Sequence, residues 1–411
     1  MSEKKEFYKK SILKQLYFGN TLSCADISER IEKSLPLTTK ILQELLKEEY
    51  ITETGFAPSS GGRRPLTYSL KPNVLYVVSI AMDQFVTRIT VMDMNNQYVT
   101  PVEKFELNLL KNTRSLEILT ERINIHLANS GILKSKIAGI GIGMPGFVDA
   151  AKGINYTFLE TGDKNIPDYI AEKTGLDVFI DNDSSLIALA ELRFGKARNK
   201  ANAMVINIGW GVGLGLILNS KLFRGYNGFA GEFSHIPLFS NNKLCGCGKT
   251  GCLETETSLS VIVEKARQGV INGRTSILKD QVFDINIETA FEMIIKAAQK
   301  GDQFAVELFS EAGYNIGRGV AILIHLLNPE TVILSGRGSL AGKIWKAPIQ
   351  QAINAHCIPR LAASTEVEIS ALGYEAELIG SAALVMENYE RNVLSEIIQD
   401  DENTDFYTAN N

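Results

Sequence analysis

Cysteine is scarce in this chain, with five residues in 411. So few thiols argue against a disulfide-stapled scaffold. Long apolar runs are missing too. None reaches the ~18 residues that a membrane helix needs, so no membrane partner is expected. Nor does an apolar secretory segment open the chain, since residues 1–10 read Met-Ser-Glu-Lys-Lys-Glu-Phe-Tyr-Lys-Lys. A reducing cytoplasm is the expected setting. Strong charge of either sign is also lacking. The net charge of −5, with 45% hydrophobic and 22% charged residues, is that of an ordinary globular protein. Length alone suggests about two to three domains.

What charge there is falls unevenly. Residues 1–71 hold twelve Lys/Arg against nine Asp/Glu, leaving an acidic remainder. A mildly basic head on an acidic body is compatible with a head that binds nucleic acid. The hydrophobic pattern of 1–70 predicts three helices and a hairpin. Phe7, Ile12, Leu13, Leu16 and Tyr17 lie near one face of the first helix, which Gly19-Asn20 ends. Ser23 can cap the second helix, and Ser34 the third, where Pro36 is tolerated in the first turn. Ile41, Leu42, Leu45 and Leu46 form the buried stripe of the third helix. Its opposite face offers Thr38, Thr39, Lys40 and Gln43, able to meet base edges and phosphates. Strands over 50–54 and 66–70 flank a Gly-rich tip carrying Arg63 and Arg64, suited to a narrow minor groove. The pattern is a winged helix-turn-helix. A small three-helix interaction module with a solvated Arg pair is the plainer alternative.

Three of the five cysteines fall within eight residues, in Cys245-Gly-Cys247-Gly-Lys-Thr-Gly-Cys252. His235 lies ten positions upstream. These four are the ligand types of a closed tetrahedral zinc site. Glycines 246, 248 and 251 let the backbone turn sharply enough to converge three sulfurs. Three small buried thiols beside a turn are the bland alternative.

The body alternates strands and helices. Strands are predicted over 74–80, 86–92, 178–183, 203–208 and 216–219, and 137–146 and 332–338 each read as a strand that breaks into a Gly turn. Helices are predicted over 184–194, 258–268, 286–299 and 302–327. Gly-rich turns follow several strands, Gly209-Trp-Gly-Val-Gly-Leu-Gly215 being the longest. Two α/β halves facing a cleft fit this layout. The expected division is a head over 1–70, a first lobe over 71–190 completed by about 375–393, and a second lobe over 191–374. An acidic, disordered tail over 394–411 follows.

At this point the residues resemble the ROK family, named for its repressors, open reading frames and kinases. Gly141-Ile-Gly-Met-Pro145-Gly146-Phe-Val-Asp149 resembles the family's sugar-side turn, and Asp181-Asn182-Asp183 its Glu-Asn-Asp element. Gly228-Phe-Ala-Gly-Glu232-Phe-Ser-His235 and the cysteine segment through Glu254 resemble its sugar and zinc segment. Gly61-Gly-Arg-Arg-Pro65 resembles the wing of its repressor branch. The resemblance implies a DNA-binding head on a two-lobed, actin-like sugar kinase fold of ribonuclease H type. It implies sugar contacts from Pro145, Gly146, Asn182, Asp183, Glu232, His235 and Glu254, with Asp183 in the place of the kinase base. It departs at the nucleotide turns. Ala81-Met-Asp83-Gln-Phe85 stands where the family's kinases carry Asp followed by Gly-Gly-Thr, and Gly209-Trp210-Gly211 where they carry Gly-Thr-Gly. Gly336-Arg337-Gly338 is a less Gly-rich third turn, and Asn155-Tyr-Thr-Phe-Leu-Glu160 lacks the family's usual sugar-contacting stretch. Side chains replace glycines that let backbone N–H groups approach phosphate.

The expectation is therefore a zinc-containing, sugar-responsive repressor without kinase activity. It would bind operator DNA as a homodimer or homotetramer and a sugar or sugar phosphate in the cleft. Lobe closure would move paired heads out of register. An ATP-dependent sugar kinase with an accessory head is the alternative.

Overall fold

Of the two expected caps in the head, Ser23 acts as its chemistry dictates, whereas Ser34 stands at the cap position of the third helix with no side-chain hydrogen bond to it. The structure is a computed structural model describing residues 2–57, 64–110, 112–159, 162–278 and 285–391. Arg63 and the acidic tail lie outside the described residues. Helices Ser2–Gly19, Cys24–Arg30 and Leu35–Lys47 form the head with strands Leu22–Ser23, Ile51–Phe56 and Leu66–Leu70. Asn20, with φ of 66°, ends the first helix. Ser23 accepts from the Asp26 amide, and Asp26 accepts from the Ser23 amide at 2.9 Å, a reciprocal capping box. Ile12, Leu16, Ile27, Ile41, Leu42, Leu45 and Ile51 are buried together as the core of the head. The strand expected to end at 54 continues to Phe56 through a register shift between Glu53 and Gly55. Gly55 takes φ of 109° there, which a residue with Cβ resists.

The chain divides into two units. The first takes in Met1–Gly143, Lys152–Ile180 and Ser381–Asn411, so the head belongs with the first sheet. The second takes in Met144–Ala151 and Asp181–Gly380. The crossing at 180/181 precedes the expected boundary at 190, because helix Asp183–Phe194 packs on the second sheet. A Cβ at Gly213 would lie 2.0 Å from Ser184 Oγ, and one at Gly215 2.2 Å from Ala188 Cβ. That contact also corrects the expected long turn over 209–215. Its last glycines belong to strand Val212–Leu218, where they let the helix approach.

Both units hold a five-stranded sheet. In the first the order is Val178–Asn182, Ile137–Met144, Tyr76–Met82, Val86–Asp93, Glu103–Glu106. In the second it is Lys221–Phe223, Val212–Leu218, Ala203–Ile208, Thr331–Ser335, Glu366–Ile369. Counted in order of appearance within each unit, both sheets show the same neighbour order. Three antiparallel strands are followed, on the far side of the first, by two more. Strands Ile137–Met144 and Thr331–Ser335 each run parallel to the first strand of their sheet. This is the doubled ribonuclease H-like, actin-like architecture. In the first unit Gly141 admits helix Ala376–Glu387, since a Cβ there would be 2.0 Å from Ser381 O. Helix Gln303–Leu327 forms the spine of the second unit, and its buried Phe309 ring meets those of Phe291 and Trp345.

Candidate functional site

The segment after the short helical turn Phe233–His235 folds back on itself through two isolated bridges, Pro237 with Cys252 and Leu244 with Thr250. Gly251, at φ of 78°, passes so close to Phe239 that a Cβ would be 2.0 Å from its carbonyl oxygen. The fold-back gathers His235, Cys245, Cys247 and Cys252, whose ligand atoms all lie within 4.8 Å of one another. Cys245 Sγ is 3.5 Å from His235 Nδ1, and Cys247 Sγ is 3.6 Å from Cys252 Sγ. A tetrahedral ion with metal–sulfur bonds of ~2.3 Å needs sulfur–sulfur edges of about 3.8 Å. The cluster therefore fits a metal ion. All three thiols are free, and Cys24 and Cys357 lie outside the cluster. Burial pushes the Cys245 thiol up to about 12 and raises that of Cys252. An incoming ion must displace those protons, which couples metal binding to pH.

The polar residues expected to meet a ligand fall in the second unit. Asn182 ends strand Val178–Asn182 and caps the next helix. Its Oδ1 accepts from the Ser184 and Ser185 amides at 3.0 and 3.2 Å. Its Nδ2 donates to Gly146 O at 3.1 Å, fixing the Pro145-Gly146 turn. Asn182, expected to meet a ligand, thus also caps the start of helix Asp183–Phe194. Asp183 accepts from the Ser184 amide at 2.7 Å and from Asn207 Nδ2 at 3.2 Å. Asn207 escaped notice in the sequence; a lone amide in the apolar strand Ala203–Ile208 was the available signal.

His235 turns its second nitrogen away from the thiols. Nε2 lies 3.5 Å from Glu232 Oε2, the outward arrangement usual for a metal-bound imidazole. Desolvation raises the Glu232 carboxyl; His235 opposes this and the charge of Glu254 adds to it. Glu254 is already engaged. One oxygen accepts the Val212 amide at 3.2 Å, and the other is 3.7 Å from Cys245 Sγ. It joins the thiol segment to the turn after strand Ala203–Ile208. The Phe147 and Phe229 rings meet edge to face at 5.6 Å, joining the Pro145-Gly146 turn to the loop before Glu232. Asp181, only 3% exposed, is gripped by Arg224 through Nε at 3.0 Å and Nη2 at 2.7 Å. That pair was not foreseen either.

The altered turns are filled. In the first unit Asp83 Oδ1 accepts the Phe85 and Val86 amides, both at 2.8 Å. It closes the hairpin with its own side chain. Trp210 is 8% exposed and meets Phe291 at 6.2 Å. The Arg337 guanidinium lies 4.8 Å from the Trp210 ring and 4.3 Å from that of Tyr374. It also bonds Glu288 and the Tyr374 hydroxyl. The second and third turns are thus stacked on one another by a buried cation, a contact that residue spacing did not announce.

In the head, Thr39, Lys40 and Gln43 are exposed, as is Arg64. Thr38 is a correction. It is fully buried and donates to Ser34 O at 3.1 Å. Four- and seven-residue spacing to Leu42 and Leu45 puts it on the apolar stripe. It cannot face DNA.

The ROK family's sequence profile matches residues 85–388. The glucokinase of Halalkalibacterium halodurans is 34% identical over 299 residues, covering 72% of this chain and 89% of that one. The xylose repressor of Caldicellulosiruptor bescii is 28% identical over 389 residues, covering 93% of this chain and 96% of the repressor. A solved ROK family transcriptional regulator, a homolog of E. coli MLC protein, aligns with a TM-score of 0.76 at 26% identity. That alignment covers 97% of this chain and 100% of the regulator. The chain belongs to the ROK family.

Proposed function

We propose that this protein is a sugar-responsive transcriptional repressor. Its head binds operator DNA, through Thr39, Lys40 and Gln43 and through Arg63 and Arg64 of the wing. Its second unit binds a sugar or sugar phosphate through Asn182, Asp183, Glu232, His235 and Glu254, beside the Pro145-Gly146 turn. Paired carboxylates and an amide suit a polyhydroxylated ring. The chain acts as a homodimer or homotetramer on twofold half-sites.

The observation that carries this reading is the winged head joined to a body whose nucleotide turns are filled by Asp83, Trp210 and Arg337. The match to a xylose repressor along 93% of the chain, head included, supports it. Without phosphate contacts there is no preorganised charge stabilisation for phosphoryl transfer. Asp183 then serves as a hydrogen-bond acceptor instead of a base.

Zinc is the metal that three thiolates and one imidazole suit best, and it would be structural. His235, Cys245, Cys247 and Cys252 would hold it, and it would fix the segment bearing Glu232 and Glu254.

The second reading is an ATP-dependent sugar kinase with an accessory head, favoured by the likeness to a glucokinase and by the retained Asp183. A thermal-shift screen of sugars and sugar phosphates, followed by ATP-dependent phosphorylation of the best binder, separates the two. A ligand without turnover supports the repressor. Turnover that Asp183→Asn abolishes supports the kinase.

A further inference from the structure

We propose that Arg224 is a positioning residue for the sugar site, acting through Asp181. The proposal rests on the sugar-binding reading above and concerns how two ligand-bearing segments are held in register. Arg224 follows strand Lys221–Phe223 and opens a loop that leads directly into Glu232 and His235. Its carbonyl accepts the Ala230 amide at 3.1 Å and closes that loop. At the far end Gly231, at φ of 105°, presses on the second strand, where a Cβ would be 2.2 Å from Leu214 O. The loop is therefore pinned at both ends.

The side chain of Arg224 leaves the loop for the other segment. Both Nε and Nη2 donate to Asp181 Oδ2, at 3.0 and 2.7 Å. Asp181 Oδ1 accepts the amide of Asn182 at 2.8 Å. One carboxylate thus ties the loop before Glu232 to the residue that caps the helix and holds Gly146 O. The Asp181 side chain is 4% exposed and that of Arg224 33%. At such burial a two-nitrogen grip fixes direction as well as charge. Lysine would keep the charge and lose the rigid planar pair of donors.

The test uses the full-length protein and compares Arg224→Gln, Arg224→Lys and Asp181→Asn with the parent. Hydrogen exchange is followed at the amides of 225–235. D-Xylose, D-glucose and N-acetyl-D-glucosamine are the titrated probes, and metal content is measured alongside. Expected for Arg224→Gln is exchange across 225–235 faster by about tenfold or more, with helix Gln303–Leu327 unchanged. Affinity for whichever probe the parent binds should fall about tenfold, with one metal per chain retained. Arg224→Lys should recover part of both, and combining Arg224→Gln with Asp181→Asn should add little to either alone. Unchanged exchange over 225–235 overturns the proposal, and so does equal probe affinity in the variants. Loss of metal and uniformly faster exchange throughout the second unit overturn it too, because Arg224 would then serve stability at large. If the parent binds none of the three sugars, the sugar reading is weakened for those sugars, while the exchange data still judge the positioning role.

Discussion

Lys14 Nζ lies 2.7 Å from Glu390 Oε1 and 2.7 Å from Glu387 O, joining the first helix of the head to the residues that end and follow helix Ala376–Glu387. The ammonium of Lys10 lies 5.0 Å from the Tyr389 ring beside it. Tyr17 donates to Asn96 Oδ1 at 2.5 Å. Within the first unit the head is thus tied to the rest by partly buried contacts, of which those of Lys14 are charge-assisted. Lys14→Met should lower the stability of the head by about 1.5–3 kcal/mol, because a carboxylate and a carbonyl lose their donor. Denaturant titration, read by proteolysis between head and body, checks this. Sugar affinity should not change. Cleavage no faster than in the parent would mean that the head is held by other contacts.

DNA contacts separate by exposure. Lys40→Ala and Gln43→Ala should each weaken duplex binding by about 1–3 kcal/mol while leaving the melting temperature nearly unaltered. Thr38→Ala should do the reverse. Its hydroxyl is buried and bonded to Ser34 O, so stability falls while the sequence preference of the bound duplex stays the same. Replacing Arg63 and Arg64 together should cost about 2–4 kcal/mol and flatten the salt dependence. Gel-shift titrations against a duplex selected from a random pool measure all of these.

The metal prediction concerns four residues. Purified protein should carry one zinc per chain, and Cys247→Ser should lose it. Cys24→Ser and Cys357→Ser should keep it, since neither thiol joins the cluster. Metal analysis decides. Full occupancy in Cys247→Ser contradicts the ligand set.

How much of this was legible beforehand depended on how local the cause was. The thiol cluster, the cap at Ser23 and the central strands of both sheets rest on short-range chemistry, and residue order displays them; the short edge strands Glu103–Glu106, Lys221–Phe223 and Glu366–Ile369 were not predicted. Gly213 and Gly215 looked like a turn because small residues serve turns and close packing alike. Only the approach of Ser184 and Ala188 distinguishes the two. Thr38 looked polar and therefore exposed, although its spacing from Leu42 already placed it on the buried stripe. The Arg337 stack and the Arg224–Asp181 grip join residues far apart in the chain. No periodicity encodes such pairs; a cation between two glycines was the faint sign of the first.

Trp210 carries the case against phosphoryl transfer. Trp210→Ala should destabilise the protein by about 3–5 kcal/mol, as large-to-small changes in packed cores do. It should also leave Arg337, 5% exposed, without one of its stacking faces. It should not create kinase activity, since Asp83 still occupies the hairpin amides of the first turn. Thermal denaturation and a coupled ADP assay check both halves. ATP-dependent phosphorylation by the parent at ordinary kinase rates, lost in Asp183→Asn, would favour the kinase reading.

Operator affinity with and without sugar tests the central claim most directly. A ligand shifts DNA binding only by its preference for one state of the protein over the other. A tenfold preference is worth about 1.4 kcal/mol per site, and DNA must weaken sugar binding by the same factor. The measurement is a titration of the selected duplex by parent and Glu254→Ala, each alone and with saturating amounts of the sugar found by thermal shift. Sugar should weaken the parent's operator binding about tenfold or more. Glu254→Ala should bind the operator as the parent does and ignore the sugar. Operator affinity that is unchanged, or tightened, by a sugar bound to the parent would contradict the inducer-released repressor.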